Sequence, residues 1–210
     1  MKIEKTTVVG LEWIVDQMRN PLESWNRCDS TLGDDDSLVL GASDKDLLLR
    51  LCKAGSPHRK VLRSVHVYST FTLPLYVWTE LDTYKVGTNR HSCSTMHTLG
   101  KRELGPKDFQ DEVVLPAVLE ELNNLGEGYR KTKGFRFRER MKQHLPSGFL
   151  LKAGYEANYE AYINMLHQRK DHRLKEWAYT GQANSESICN WITTLPYMYD
   201  ILVHIGEIKP

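Results

Sequence analysis

The sequence predicts an α+β fold: a small antiparallel or mixed sheet with several helices, in a single domain over residues 1–210. Three observations predict it. Helical signals, meaning caps, apolar residues at turn spacing and basic last turns, recur along most of the chain. Two-residue alternation and β-branched runs are confined to two stretches in the first third. No strand–helix–strand alternation of the kind that builds a parallel sheet is present. A chain of 210 residues with 40% apolar and 26% charged residues buries about 70% of its unfolded surface without a disulfide or metal staple.

The elements follow in order. Thr6, Thr7, Val8 and Val9 favour extended backbone, so residues 2–10 open as a strand. A short helix is expected over 11–18 and ends at Asn20-Pro21. Residues 25–37 are polar and hold Gly33-Asp34-Asp35-Asp36, an acidic run that is either a solvated loop or a cation site. Ser43-Asp44-Lys45-Asp46 supplies a cap and an acidic first turn, Lys53 a basic last turn and Gly55 a stop, which together predict a helix. In 64–72, Val65, Val67, Ser69 and Phe71 alternate with His66, Tyr68, Thr70 and Thr72, the pattern of a strand with two usable faces. Pro74 suits the first turn of a helix over 75–84, which Gly87 breaks.

Gly105-Pro106-Lys107-Asp108 opens a longer helix carried by apolar residues from Phe109 to Leu122, with Pro116 kinking or restarting it. Helices are further expected over 135–144, 159–168 and, with a weak point at Gly181, 175–193. A last short helix is expected over 197–203, after the interruption at Leu195-Pro196.

Lys and Arg number 28 against 27 Asp and Glu, a net charge of +1. That balance gives no long-range attraction to a polyanion, so no nucleic-acid partner is expected, while a small pocket for a phosphorylated ligand remains open. No apolar run approaches a membrane span, and Met1-Lys2-Ile3-Glu4-Lys5 leads into no secretory segment. Cys28, Cys52, Cys93 and Cys189 lack paired spacing and read as free thiols. A cytoplasmic protein is expected.

Two segments carry chemistry. Residues 80–97 run from a helix end into a loop with Thr88, Ser92, Ser94 and Thr95 as small donors and Lys85 and Arg90 as cations. Such a loop either holds a phosphate or is a capped, hydrogen-bonded turn. Its His91, Cys93 and His97 offer zinc-ligand chemistry without finger spacing or an evident fourth ligand, and Cys93 can serve as a nucleophile if a histidine lowers its pKa. The second segment is 145–177. Asn158 and Arg169 stand eleven positions apart, about three helical turns, so on one helix they share a face. That pair suits a ligand with carbonyl and phosphate groups, or it is a solvated face.

Together the segments resemble the signatures of the flavin-dependent thymidylate synthases. The second signature of that family is L-P, an Arg, then N-x5-N-x4-R on a helix. Here Leu145-Pro146, Asn158, Asn164 and Arg169 stand at that spacing. The first is R-H-R, seven residues, then S, preceded by a helix bearing a Gln. Here the frame is kept by Pro74, Thr83-Tyr84-Lys85 and Cys93, the last flanked by Ser92 and Ser94. Met1-Lys2-Ile3, the early helix, the helix ending at Gly55, and His58 have counterparts in order.

The resemblance implies a homotetramer that converts dUMP to dTMP, with methylenetetrahydrofolate as one-carbon donor and NADPH reducing bound FAD. It places Asn158, Asn164 and His58 at the flavin. Thr83-Tyr84-Lys85 replaces the R-H-R that grips the flavin dinucleotide. Arg169 meets the nucleotide, Glu80 stands for the Gln beside it, and Lys152 replaces a nucleotide-contacting Arg. Ser92, Cys93 and Ser94 form the turn at the phosphate. Arg169, Ser92 and Ser94 are the implied catalytic residues, and no enzyme nucleophile is needed because the cofactors carry the bond-making. In Thr83-Tyr84-Lys85 two guanidinium groups become one ammonium and a hydroxyl, each lost charged hydrogen bond costing about 1.5–3 kcal/mol. Stacking by Tyr84 can compensate. A flavin-free, non-catalytic nucleotide-binding relative is the alternative.

Overall fold

The computed structural model describes residues 1–34, 37–182 and 187–210, so Asp35 and Asp36 of the acidic run lie outside the described residues. In chain order the elements are β1 (Lys2–Val9), α1 (Leu11–Arg19), β2 (Thr31–Leu32), β3 (Leu38–Val39), α2 (Ala42–Lys53), β4 (His66–Pro74), α3 (Leu75–Leu81) and β5 (Thr88–Ser92). They continue with α4 (Thr95–Thr98), α5 (Pro116–Thr132), α6 (Phe135–His144), β6 (Leu150–Asn158), α7 (Tyr159–Arg169), α8 (Ile188–Thr193) and α9 (Met198–His204). One sheet has the order β1-β4-β6-β5, and β2 pairs antiparallel with β3 through Thr31–Val39 and Leu32–Leu38. This is the expected α+β class. Among the described residues no helix is long and apolar enough to cross a membrane.

The chain packs as two compact units. One comprises residues 1–4, 70–83 and 90–154; the other comprises 5–69, 84–89 and 155–210. Each strand of the larger sheet contributes residues to both.

In the second unit α7 buries Tyr159, Tyr162, Ile163, Met165 and Leu166, and packs on the 3-10 segment Arg59–Ser64 and on α8. Gly10 joins β1 to α1 at φ +90°, where a Cβ would stand 2.3 Å from the Ser64 carbonyl oxygen, so only glycine fits. A buried ion pair ties α1 to α2. Asp44 accepts from Arg19 Nε at 2.8 Å and Nη2 at 2.6 Å, from the Ser30 hydroxyl at 2.6 Å, and from the backbone N–H groups of Asp29 and Ser30 at 3.0 Å. Burial alone would raise the Asp44 carboxyl; the hydrogen bonds from Ser30 and Arg19 outweigh it and hold the carboxyl well below the usual range. The first-turn acid expected to serve the helix dipole is therefore half of a core ion pair.

The first unit is built around Leu99, Leu104, Phe109, Leu122, Leu125, Met141 and Phe149, with α5 packed on α6. Trp78 is buried in it and donates its Nε1–H to the Leu151 carbonyl at 2.9 Å. The helix expected from Gly105 does not form there. Residues 106–108 and 110–112 make 3-10 turns, Asp111 and Glu112 take positive φ, and α5 begins at Pro116. Proline lacks the N–H that the first helical turn leaves unpaired, so it starts this helix cleanly.

Of the helix expected over 175–193, the described residues form α8, capped by the Ser187 hydroxyl, which accepts from the Asn190 N–H at 3.3 Å. Upstream of it the described part of that stretch is irregular: Gly181 has φ +74° and the Tyr179 N–H turns back to the Lys170 carbonyl at 2.9 Å. β5 runs through a segment that reads from sequence as loop, and β6 occupies residues 150–158, of which only Asn158 reads as helical, through its spacing to Arg169. In β6 Leu151, Ala153, Tyr155 and Ala157 point inward in strict alternation.

Candidate functional site

In the first unit, β5 delivers the 92–95 loop to the wall of a cavity of about 400 Å³. Ser92, Ser94 and Thr95 supply hydroxyls to its lining, Cys93 a thiol, and Arg90 and Lys142 two cations; Leu75 and Leu151 are among its apolar walls. The loop is pinned from below, because the Cys93 N–H donates to the Lys152 carbonyl at 2.9 Å. Arg90 is held by Asp82 at 3.0 Å and by the face of Trp78, 5.0 Å from its guanidinium carbon. Lys142, on α6, makes no ion pair among the described residues. Hydroxyls, two cations and an apolar wall in one concavity suit a phosphorylated ligand with a flat apolar part.

The expected residues divide around this cavity. Ser92, Cys93 and Ser94 line it. Lys152 does not: its side chain is exposed, with the ammonium 3.5 Å from Glu4. Glu80 is half-buried near the end of α3, and its carbonyl accepts the Thr83 hydroxyl at 2.7 Å. Lys142 was missed, since only folding brings residue 142 to the 92–95 loop. In the sequence Arg90 reads only as a loop cation, and its support by Asp82 and Trp78 has no sequence signal. Among the described residues no three His, Cys, Asp or Glu side chains converge to hold a metal, and His91, Cys93 and His97 are not brought together as such a group.

In the second unit the key residues gather at the two ends of α7. Asn158 is not on the helix with Arg169; it ends β6 and caps α7, its Oδ1 accepting the Ala161 N–H at 2.9 Å. Its backbone N–H donates to the Gly87 carbonyl at 3.2 Å. At the other end Arg169 donates Nε–H to the Tyr84 hydroxyl at 3.0 Å, and its Nη1 lies 3.1 Å from His172 Nε2. Its guanidinium carbon lies 5.9 Å from the Tyr84 ring centre and 5.4 Å from that of buried Trp177. Asn164 is exposed and accepts from Gln168 at 3.1 Å, while His58 and Lys85 are exposed. Trp177, which shapes the Arg169 environment, was missed; an isolated Trp in a polar stretch carries no positional signal.

The residues that would face a flavin fit it in kind. Gly87 has φ +71°, and a Cβ there would stand 2.4 Å from Asn158 Nδ2, so the missing side chain leaves that amide room to donate. Lys85 adds an exposed ammonium and Tyr84 an aromatic ring. Phosphate, ring and carbonyl groups each find a matching donor or face, with less positive charge than two guanidinium groups provide.

No protein-family model matches the sequence, and no curated protein is significantly similar to it. Solved structures are similar in fold. One is the flavin-dependent thymidylate synthase ThyX from Helicobacter pylori with FAD and dUMP, at 16% identity and a TM-score of 0.71, covering 98% of this chain and 100% of that one. A second structure of that enzyme, also with FAD and dUMP, matches at 18% identity and a TM-score of 0.64, over 84% of this chain and 88% of that one. A UMP/dUMP methylase, PolB from Streptomyces cacaoi, bound with 5-Br dUMP, matches at 13% identity and a TM-score of 0.60, over 100% of this chain and 96% of that one. At such identities the likeness is one of architecture: the chain has the fold of the flavin-dependent thymidylate synthases, as a divergent example of it.

Proposed function

We propose that this protein binds a pyrimidine mononucleotide, dUMP first, and methylates its uracil ring. The observation that carries the reading is the cavity at the 92–95 loop, where three hydroxyls and two cations meet an apolar wall. Ser92 and Ser94 bind the phosphate through their hydroxyls and the loop backbone, and Arg90 and Lys142 neutralise it. The resemblance gives Arg169 a nucleotide-contacting role, and its guanidinium is steadied by Tyr84 and Trp177. Asn158, Tyr84 and Lys85 hold FAD, and the resemblance gives Thr83, Asn164 and His58 the same role. When bound, the flavin supplies hydride chemistry. NADPH as its reductant, methylenetetrahydrofolate as one-carbon donor and a homotetrameric assembly complete the proposal.

The test is the visible spectrum of protein desalted after mixing with excess FAD, with and without dUMP. Retained flavin bands and thymidylate formation support the reading. Arg169→Ala is expected to abolish dUMP binding while leaving the fold intact, and unchanged binding would sink the assignment.

A second reading is a flavin-free nucleotide-binding protein. It is favoured by one observation: the Tyr84 hydroxyl is already engaged by Arg169, and so has less to offer a flavin. A colourless protein that still binds dUMP would select it.

A further inference from the structure

Charge in this chain is balanced overall but not locally. Between positions 130 and 144 stand seven Lys or Arg and one acid, Glu139, against a whole-chain excess of +1. The stretch covers the end of α5 and all of α6. Phe137 and Met141 turn inward to the core of the first unit. Arg138 is spent there too, donating to the Leu99 carbonyl at 3.1 Å, with its guanidinium carbon 3.9 Å from the Tyr129 ring centre.

Arg136 and Arg140 are different. They are exposed, one helical turn apart and therefore neighbours on the surface of α6. Among the described residues neither makes an ion pair, and Glu139 neutralises neither through one. At the start of the same helix Phe135 is 60% exposed, an apolar ring standing in water on the solvent side of α6.

We propose that the exposed side of α6 is a docking surface for single-stranded nucleic acid. Arg136 and Arg140 take backbone phosphates and Phe135 stacks on a base. Cations for the phosphates and an open aromatic face for a base are the two parts such recognition needs. A membrane surface is the weaker match, because insertion needs an apolar helix face and α6 has committed its own to the core. The balanced net charge argues against a protein dedicated to polyanions, and it does not register this local segregation.

The experiment is fluorescence anisotropy of the full chain with a labelled oligouridylate of about 20 nucleotides, from about 50 to 200 mM salt. Binding that weakens with salt is expected. Arg136→Ala/Arg140→Ala removes two phosphate contacts, so the log–log salt slope should flatten by about 1.4, with at least about tenfold weaker binding at low salt. Phe135→Ala should weaken binding about tenfold at an unchanged slope. Unaltered circular-dichroism melting of both variants separates these losses from unfolding. The proposal is overturned if the wild type does not bind at low salt, or if the double variant binds as the wild type does. Binding to phosphatidylserine vesicles without oligonucleotide binding overturns it in favour of a membrane. A changed sedimentation coefficient of the double variant, again without oligonucleotide binding, overturns it in favour of an interface between copies.

Discussion

Arg169 Nε donates to the Tyr84 hydroxyl at 3.0 Å, across 85 positions of sequence. Tyr84 stands where the resemblance expects a residue gripping flavin, and Arg169 where it expects one meeting the nucleotide. The bond thus couples two roles that the sequence presents as separate. Tyr84→Phe keeps the ring and removes the acceptor. Stability to urea is expected to fall by about 1 kcal/mol, the modest figure reflecting partial exposure. Calorimetric titration should show weaker dUMP binding, and unaltered affinity would mean that Tyr84 does not position Arg169.

Gly87→Ala places a Cβ against the Asn158 amide and forces an L-residue to φ +71°. A loss of about 1–3 kcal/mol in denaturant unfolding is expected. Flavin retention should fall more than dUMP binding. Asn158→Ala itself costs about 1 kcal/mol through the lost cap. Combined with Gly87→Ala it should cost less than the sum, since the clash disappears with the amide.

Asp44 makes stability depend on acidity. Its folded-state carboxyl is depressed, so its contribution is complete above about pH 4, the unfolded range. That contribution drains away as pH falls toward the folded-state value. Asp44→Asn leaves Arg19 buried without its partner and is expected to cost about 3–5 kcal/mol at neutral pH. The variant's stability should then vary less with pH between about 5 and 2 than the wild type's, as followed by urea midpoints. An equal acid dependence would locate the sensitivity elsewhere.

Thiol reactivity should divide evenly. Burial pushes the Cys52 and Cys189 thiols up to about 12, whereas Cys28 and Cys93 are exposed. A disulfide reagent at about pH 8 should therefore modify Cys93 and Cys28 ahead of the buried pair in native protein, and all four in denaturant. Cys28 should be the slower, because against a lowering backbone hydrogen bond from Ser30, burial and the Asp44 carboxylate raise its thiol. Cys93→Ser should remove the faster of the exposed pair.

Helices with their own punctuation were legible in the sequence. α1, α2, α3, α6, α7 and α9 lie close to where caps, Gly and Pro place them. What escaped was structure whose local signal is weak. Ala153, Gly154 and Ala157 have little strand preference, and only burial on the pleated face makes β6 a strand. β5 is a polar edge strand whose one neighbour in the sheet, β6, lies far away in sequence. The cavity was half legible: its hydroxyls are contiguous, but Lys142 arrives from a different helix. Asn158 and Arg169 were singled out on helical spacing, which is real only for the residues after Asn158.

The joint at Asn158 constrains the fold. A single residue is both the end of β6 and the cap of α7, so no slack separates sheet from helix. Strand register therefore sets helix phase. One residue inserted before Tyr159 would rotate α7 by about 100° relative to the sheet and swing Arg169 off Tyr84 and Trp177. The joint between Asn158 and Tyr159 should tolerate substitution far better than any change in length.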